Sequence, residues 1–178
     1  MIFLSYKILH GADAEEQSRA GREMLCGLVK RIGISPDGIN IIKDENGRPR
    51  ISGMDDIDFN ISHSPFLAVC VLSAGEGRVG ADTEPIMPTV PKERRERFVK
   101  RYFSENESAE LAVAPDSFSK IWTRKEAMLK RNGKGLAGIS EADTCLPPDD
   151  VRFETFEING SFVTVCIPAH AEIIIFEE

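Results

Sequence analysis

The chain has 178 residues, 42% of them apolar and 29% charged, the make-up of an ordinary globular protein long enough to bury a core. Its net charge of −7 argues against general nucleic-acid binding. No apolar run approaches the ~20 residues that cross a bilayer, and the first residues lack the basic and long apolar segments of a secretory signal, so the expectation is a cytoplasmic protein with no membrane partner.

In chain order, Met1–Lys7 reads as a first strand. Ala14–Arg31 places apolar or small residues at helical spacing (Ala20, Met24, Leu28, Val29, Ile32), with Gly33 as a stop. Asn46-Gly47 is a turn between 39–43 and 48–52. Phe66–Ser73 is a continuous apolar run of strand length, and Ala74-Gly75-Glu76-Gly77 predicts that it turns back into a hairpin with Arg78–Glu84. Met87-Pro88-Thr89-Val90-Pro91 reads as a linker, giving lobes at 1–87 and 88–178 with a site at their junction.

A basic helix, 92–102, opens the second half; its residues 92–101 hold six bases and two acids. Ser104 and Glu107 fit a capping box. A further helix is predicted from about Ser117 to Arg131, ended by Gly133-Lys134-Gly135. Val151–Ile158 and Ser161–Ile167 flank Asn159-Gly160, a two-residue hairpin turn, and Ala171–Phe176 adds a last strand. Each half runs helix first, then antiparallel strands, an α+β class. The four cysteines show no CxxC spacing, which favours reduced thiols over disulfides or zinc. Charge is uneven: from Ile139 onward there are nine acids and one base, Arg152.

Three places carry candidate chemistry. Asp82 and Glu84 are two apart on a predicted strand, so both leave the same face. Two carboxylates that close repel each other unless a cation lies between them. Magnesium suits, being hard and preferring oxygen at ~2.0–2.1 Å. Alone, the pair reads equally as a solvated strand end.

In helix 117–131, Phe118, Ile121, Trp122, Met128 and Leu129 form the apolar stripe, flanked by Glu126 and Lys130 four apart. Alone these two amount to a surface ion pair. Lys125 falls near the centre of the stripe, where a lysine needs an anion or must snorkel outward. Lys120, Arg124 and Arg131 fall on the opposite, solvent side. Finally, His63 is bracketed by Asn60, Ser62 and Ser64, short polar side chains that suit phosphate oxygens. His10 and His170 have no such company.

Taken together, Gly47-Arg48-Pro49, Asn60-Ile61-Ser62-His63-Ser64, Gly80-Ala81-Asp82-Thr83-Glu84, Phe103-Ser104 with Glu107, Trp122 with Lys125-Glu126-Ala127 and Lys130, and Gly133-Lys134-Gly135-Leu136 resemble the 4′-phosphopantetheinyl transferases, specifically their surfactin-type, two-lobed branch. The match spans roughly residues 20–140; the Asp-x-Glu and Trp-x-x-Lys-Glu-Ala-x-x-Lys pair is its most specific part.

The resemblance implies two pseudo-twofold-related lobes, each with a helix packed on a small antiparallel sheet. It implies transfer of the 4′-phosphopantetheine arm of coenzyme A to a serine of an acyl or peptidyl carrier protein, with release of adenosine 3′,5′-bisphosphate. Asp82, Glu84 and Glu126 would hold Mg²⁺, and Glu126 would serve as base, directly or through a water. Lys130 would stabilise or protonate the leaving phosphate. Ser62 and His63 would contact phosphates, Lys125 would face one, and Arg48 and Pro49 would lie near the adenosine end. Lysine is common in the family where Arg48 stands. Many relatives hold the 3′-phosphate with a basic N-terminal arm; here Lys7, Arg19 and Arg22 are the available bases. The acidic carrier would dock on the basic helix 92–101, and the chain would act as a monomer. A Mg²⁺-dependent phosphate hydrolase and a non-catalytic binder of coenzyme A or carrier are the alternatives.

Overall fold

The computed structural model describes residues 1–86 and 92–178, and of Lys92, Leu136, Ser140 and Glu141 the backbone alone; the linker expected at 87–91 lies outside the described residues. Among these there are four α-helices and nine strands, an α+β architecture. In chain order they are β1 (Ile2–Ile8), α1 (Ala14–Arg31), β2 (Ile41–Lys43), β3 (Pro49–Ile51), β4 (Ile57–His63), β5 (Leu67–Ala74), β6 (Gly80–Pro85), α2 (Lys92–Tyr102), α3 (Glu105–Val113), α4 (Phe118–Asn132), β7 (Val151–Ile158), β8 (Ser161–Pro168) and β9 (Ile173–Glu177).

Local sequence accounts for most element ends. Asp13 caps α1, its carboxylate accepting from the backbone of Glu15 and Glu16, which satisfies orphan amides of the first turn. Ser104 and Glu107 form the expected capping box of α3. Gly133 closes α4 in the left-handed conformation, φ 72°, where a residue without a Cβ is favoured. Asn159 and Gly160 both have positive φ, as the tight β7–β8 hairpin requires.

Strand order in the main sheet is β4-β5-β1-β9, and in a second sheet β6-β8-β7, with β2–β3 a separate two-stranded ribbon. β1 is antiparallel to β5 and parallel to β9. The hairpin expected between 66–73 and 78–84 does not form: β6 pairs with β8 instead, Asp82 opposite Thr164. The reason is that both edges of β5 are taken, by β1 and by β4, so no ladder remains for β6. Gly75 and Gly77, at positive φ, turn the chain out of the first sheet. Sheet membership therefore crosses the expected boundary at 87/88. β6, from the first half, joins the second sheet, and β9, from the second half, completes the first.

The layers follow from side-chain alternation. Ala68, Cys70 and Leu72 of β5 pack with Met24, Leu25, Leu28 and Val29 of α1. Leu67, Val69 and Val71 pack the other way, against Ala81, Val163 and Val165 of the second sheet. Beyond that sheet lies α4, whose Ala127, Met128 and Leu129 meet Cys166 and Val151. The stack is α1, first sheet, second sheet, α4. No helix of the described residues is long and apolar enough to cross a membrane, and all four cysteines are free thiols.

Candidate active site

Gly80 fixes where the site forms. A Cβ at this position would run into the carbonyl oxygen of Ala127 and lie 2.6 Å from the Arg131 amide. Its absence lets β6 lie directly on α4. Alternation then sends Asp82 and Glu84 toward the helix, while Ala81 faces the first sheet. On α4, Glu126 and Lys130 stand one turn apart on the side that meets β6.

β4 approaches from the first sheet. The Asn60 side-chain oxygen accepts from the Ala81 amide at 3.0 Å, tying the two sheets beside the site. Two residues on, the Ser62 hydroxyl donates to Asp82 Oδ1 at 2.9 Å. Lys130 Nζ donates to the same oxygen at 2.6 Å and to Ser62 Oγ at 3.0 Å. Three elements thus meet in one hydrogen-bonded triangle. Asp82 is 4% exposed, and its Oδ2 is buried with no hydrogen-bond partner. Burying a carboxylate oxygen unpaired is costly, so Oδ2 marks a place for a positive group.

Glu84 and Glu126 stand in the same field. Burial pushes the Glu84 carboxyl up to about 7, helped by the charge of Asp82 and then of Glu126. Lys130 and a hydrogen bond from the Trp122 indole pull the other way. Burial also raises Glu126, with Asp82 adding to it and Lys130 opposing. Two carboxyls held reluctant to ionise beside the carboxylate of Asp82, with Lys130 the cation that opposes both shifts, are short of positive charge. Their all-oxygen donor set suits a hard divalent cation such as Mg²⁺. Among the described residues, however, no three His, Cys, Asp or Glu side chains converge into a ready-made metal cluster. The acids are neighbours that have not closed on one point.

Other expected site residues lie elsewhere. His63, next to Ser62, points to the opposite face; its Nδ1 is 2.8 Å from Gln17 Oε1 of α1, at an exposed rim. Lys125 is 1% exposed and meets Glu107 Oε2 at 2.7 Å and the Ala142 carbonyl. The anion its place in the apolar stripe demanded is thus an internal carboxylate rather than a phosphate. Arg48 is 7% exposed, its guanidinium bonded to Asp58 and to backbone carbonyls. Pro49 begins β3, half-buried. Lys7 and Arg19 both lean on Glu23, at 3.0 and 3.9 Å. Arg124 and Arg131, expected to face solvent, are mostly covered. Arg124 pairs with Glu110, and Arg131 donates to the Arg78 carbonyl at 3.1 Å.

Two functional groupings escaped the sequence. Glu107 was legible as a cap but not as the partner of Lys125, eighteen residues away. Asp58, which anchors Arg48, sits in no motif.

Around the site's edge, Phe98 of α2 stacks edge-on to Trp122, centroids 4.7 Å apart, and contacts Phe118 and Tyr102. The basic helix is thereby fastened beside Glu84. A groove between α2 and α3, lined by Arg95, Val99, Lys100, Leu111 and Pro115, runs along it.

A family model described as the 4′-phosphopantetheinyl transferase superfamily matches residues 78–171. The chain is also similar to a 4′-phosphopantetheinyl transferase of Bacillus subtilis, 32% identical over 136 residues, 74% of this chain and 58% of the relative. The transferase HetI of Nostoc sp. is 31% identical over 140 residues, 74% of this chain and 57% of the relative. The transferase AcpT of Salmonella typhi is 32% identical over 133 residues, 72% and 67% respectively. The chain spans a little under three fifths of the length of the first two.

Proposed function

The chain belongs to the 4′-phosphopantetheinyl transferase superfamily, and from that premise we propose that it moves the 4′-phosphopantetheine arm of coenzyme A onto a serine of an acyl or peptidyl carrier protein. One observation carries the proposal. Helix α4, bearing Glu126 and Lys130, lies on the strand bearing Asp82 and Glu84, with Lys130 already bonded to Asp82.

In this reaction the serine oxygen forms a bond to the phosphorus next to the pantetheine. The bond from that phosphorus to the bridging pyrophosphate oxygen breaks, and adenosine 3′,5′-bisphosphate leaves. Asp82, Glu84 and Glu126 are the residues that would hold Mg²⁺, which when bound neutralises charge on the pyrophosphate. Glu126 takes the serine proton, directly or through a water; its raised affinity for protons suits a general base. Lys130, on the same helical face, donates to the leaving phosphate. Ser62 holds both Asp82 and Lys130 in place, and His63, beside Gln17 at the exposed rim, would serve a phosphate outside the triangle.

The carrier docks on α2. Arg94, Arg97, Lys100 and Arg101 are exposed there, a cationic face that steers acidic partners. Free thiols fit a reducing cytoplasm, and in this proposal the chain acts as a monomer.

The experiment is to incubate the protein with Mg²⁺, coenzyme A and an acidic carrier and weigh the carrier by mass spectrometry. The carrier should gain one phosphopantetheine arm, and Asp82→Ala and Glu126→Gln should abolish the gain. Undiminished modification by both variants would overturn the site. Free phosphopantetheine released without a carrier would make the protein a hydrolase.

A further inference from the structure

We infer that Arg48 is a positioning residue, a buried clasp that holds β4, β6 and α4 in the register that brings Ser62, Asp82 and Lys130 together. The inference rests on the transferase reading above.

The guanidinium touches β4, α4 and Val79, the residue immediately before β6. Its Nη2 donates to Asp58 Oδ2 at 2.5 Å, to the Val79 carbonyl at 2.8 Å and to the Phe59 carbonyl at 3.3 Å. Its Nη1 donates to the carbonyl of Lys130 itself. Phe59 lies three residues before Ser62 on β4, and Val79 three before Asp82, leading into β6. Asp58 Oδ2 also accepts from the Val79 amide at 2.8 Å, so Arg48 and Asp58 close a double bridge between the two sheets.

The Lys130 contact has a particular cause. Residue 130 is in the last turn of a helix that ends at Asn132, where carbonyls lack intrahelical partners. A guanidinium there satisfies an orphan acceptor and meets the negative end of the helix dipole. It fixes the depth to which α4 descends on β6, and with it the position of the Lys130 ammonium. Arg48 in turn is held by its own backbone, whose amide donates to Asp44 Oδ1 at 2.9 Å.

Arginine suits this task and lysine does not. A planar fork can reach three elements at fixed angles, whereas an ammonium is a single point on a flexible stem. Arg48 also lines a cavity of about 360 Å³ with Asp44, Arg50, Met54, Asp58 and Arg78, so a direct substrate contact has space available. The hydrogen bonds decide the matter, since they run to backbone and to Asp58.

The two roles separate kinetically. A clasp predicts that Arg48→Lys lowers kcat about tenfold or more per folded molecule, with KM for coenzyme A within about twofold of the parent. A substrate contact predicts the reverse, a raised KM at near-parental kcat. A merely structural role predicts a lower melting temperature with both constants unchanged for the folded fraction. Asp58→Asn is the second variant; it loosens the clasp while retaining Arg48, and should reproduce the kcat loss in milder form. A raised KM for coenzyme A in Arg48→Lys, or unchanged kcat in both folded variants, overturns the inference. Absence of transfer by the parent protein would instead overturn the proposed function.

Discussion

Glu107→Gln changes one oxygen to an amide nitrogen, yet it should be among the most damaging single substitutions outside the site. The Glu107 carboxylate is 0% exposed and receives four donors. Oε2 takes the Ser104 amide at 2.8 Å and Lys125 Nζ at 2.7 Å. Oε1 takes the Thr144 amide at 3.1 Å and the Thr144 hydroxyl at 2.8 Å. Glutamine keeps one acceptor, which Thr144 claims, and turns its NH₂ against two donors, one of them a buried ammonium. Breaking one side of a buried ion pair costs about 3–5 kcal/mol. In a domain of this size that lowers the melting temperature by roughly 6 to 20 °C. Adding Lys125→Met removes the stranded charge. The double variant should therefore be more stable than Glu107→Gln alone, still short of the parent by about 1–3 kcal/mol for the donors and acceptor left over. Urea titrations of both single variants and the double, with unchanged m-values, would give these numbers and the coupling. If Glu107→Gln costs under about 1 kcal/mol, or the two substitutions simply add, Glu107 does not neutralise Lys125. The ammonium would then be available to a phosphate after all.

Other outcomes follow from the same geometry. Glu84, pushed up to about 7, and Glu126, also raised, bind protons more tightly folded than unfolded. In EDTA, stability should therefore fall as pH rises from about 4.5 to about 7, and Glu84→Gln should flatten that slope; a slope indifferent to the substitution means the acids do not share one field. Added Mg²⁺ should raise the melting temperature more at pH 8 than at pH 6, because binding needs the ionised carboxylates. Gly80→Ala should cost about 1–3 kcal/mol and at least tenfold in transfer rate, since the new methyl must lift β6 from α4; parental activity would show that the close approach is dispensable. Reversing Arg94, Arg95 and Arg97 to Glu should raise KM for the carrier and leave KM for coenzyme A alone, and equal effects on both would remove α2 as the docking surface.

What was legible in the sequence was local. The Ser104–Glu107 box, the Asn159-Gly160 turn and the Gly133 stop each depend on residues within a few positions, and each formed. The run Phe66–Ser73 reads as a buried strand because, from Leu67 on, it is one, covered on both faces and both edges. That same fact defeated the expected hairpin. Adjacency in sequence suggested that 78–84 would pair with its neighbour, but only the fold reveals that β1 has already taken the free edge. The partners of Arg48 are hidden for a similar reason: nothing near the Gly-Arg-Pro turn announces that Asp58, Val79 and Lys130 will converge on the guanidinium.

The two lysines of α4 show how helix geometry divides tasks that sequence alone leaves mixed. Glu126 and Lys130 are four apart, about 40° around the helix, so one face carries both. Lys125 lies about 140° from Lys130, too far for both ammonium groups to serve one site. Lys130 points between β4 and β6, where Asp82 and Ser62 wait. Lys125 points toward α3, into a pocket that Glu107 already fills. Had both faced the acids, two ammonium groups would have nearly neutralised three carboxylates, weakening any demand for a metal. With one turned away, Asp82 Oδ2 stays unpaired, and Glu84 and Glu126 remain reluctant to ionise. Sequestering Lys125 in the C-terminal core thus does two things at once: it neutralises a buried glutamate, and it leaves around Asp82 the excess of negative charge that suits the proposed divalent cation.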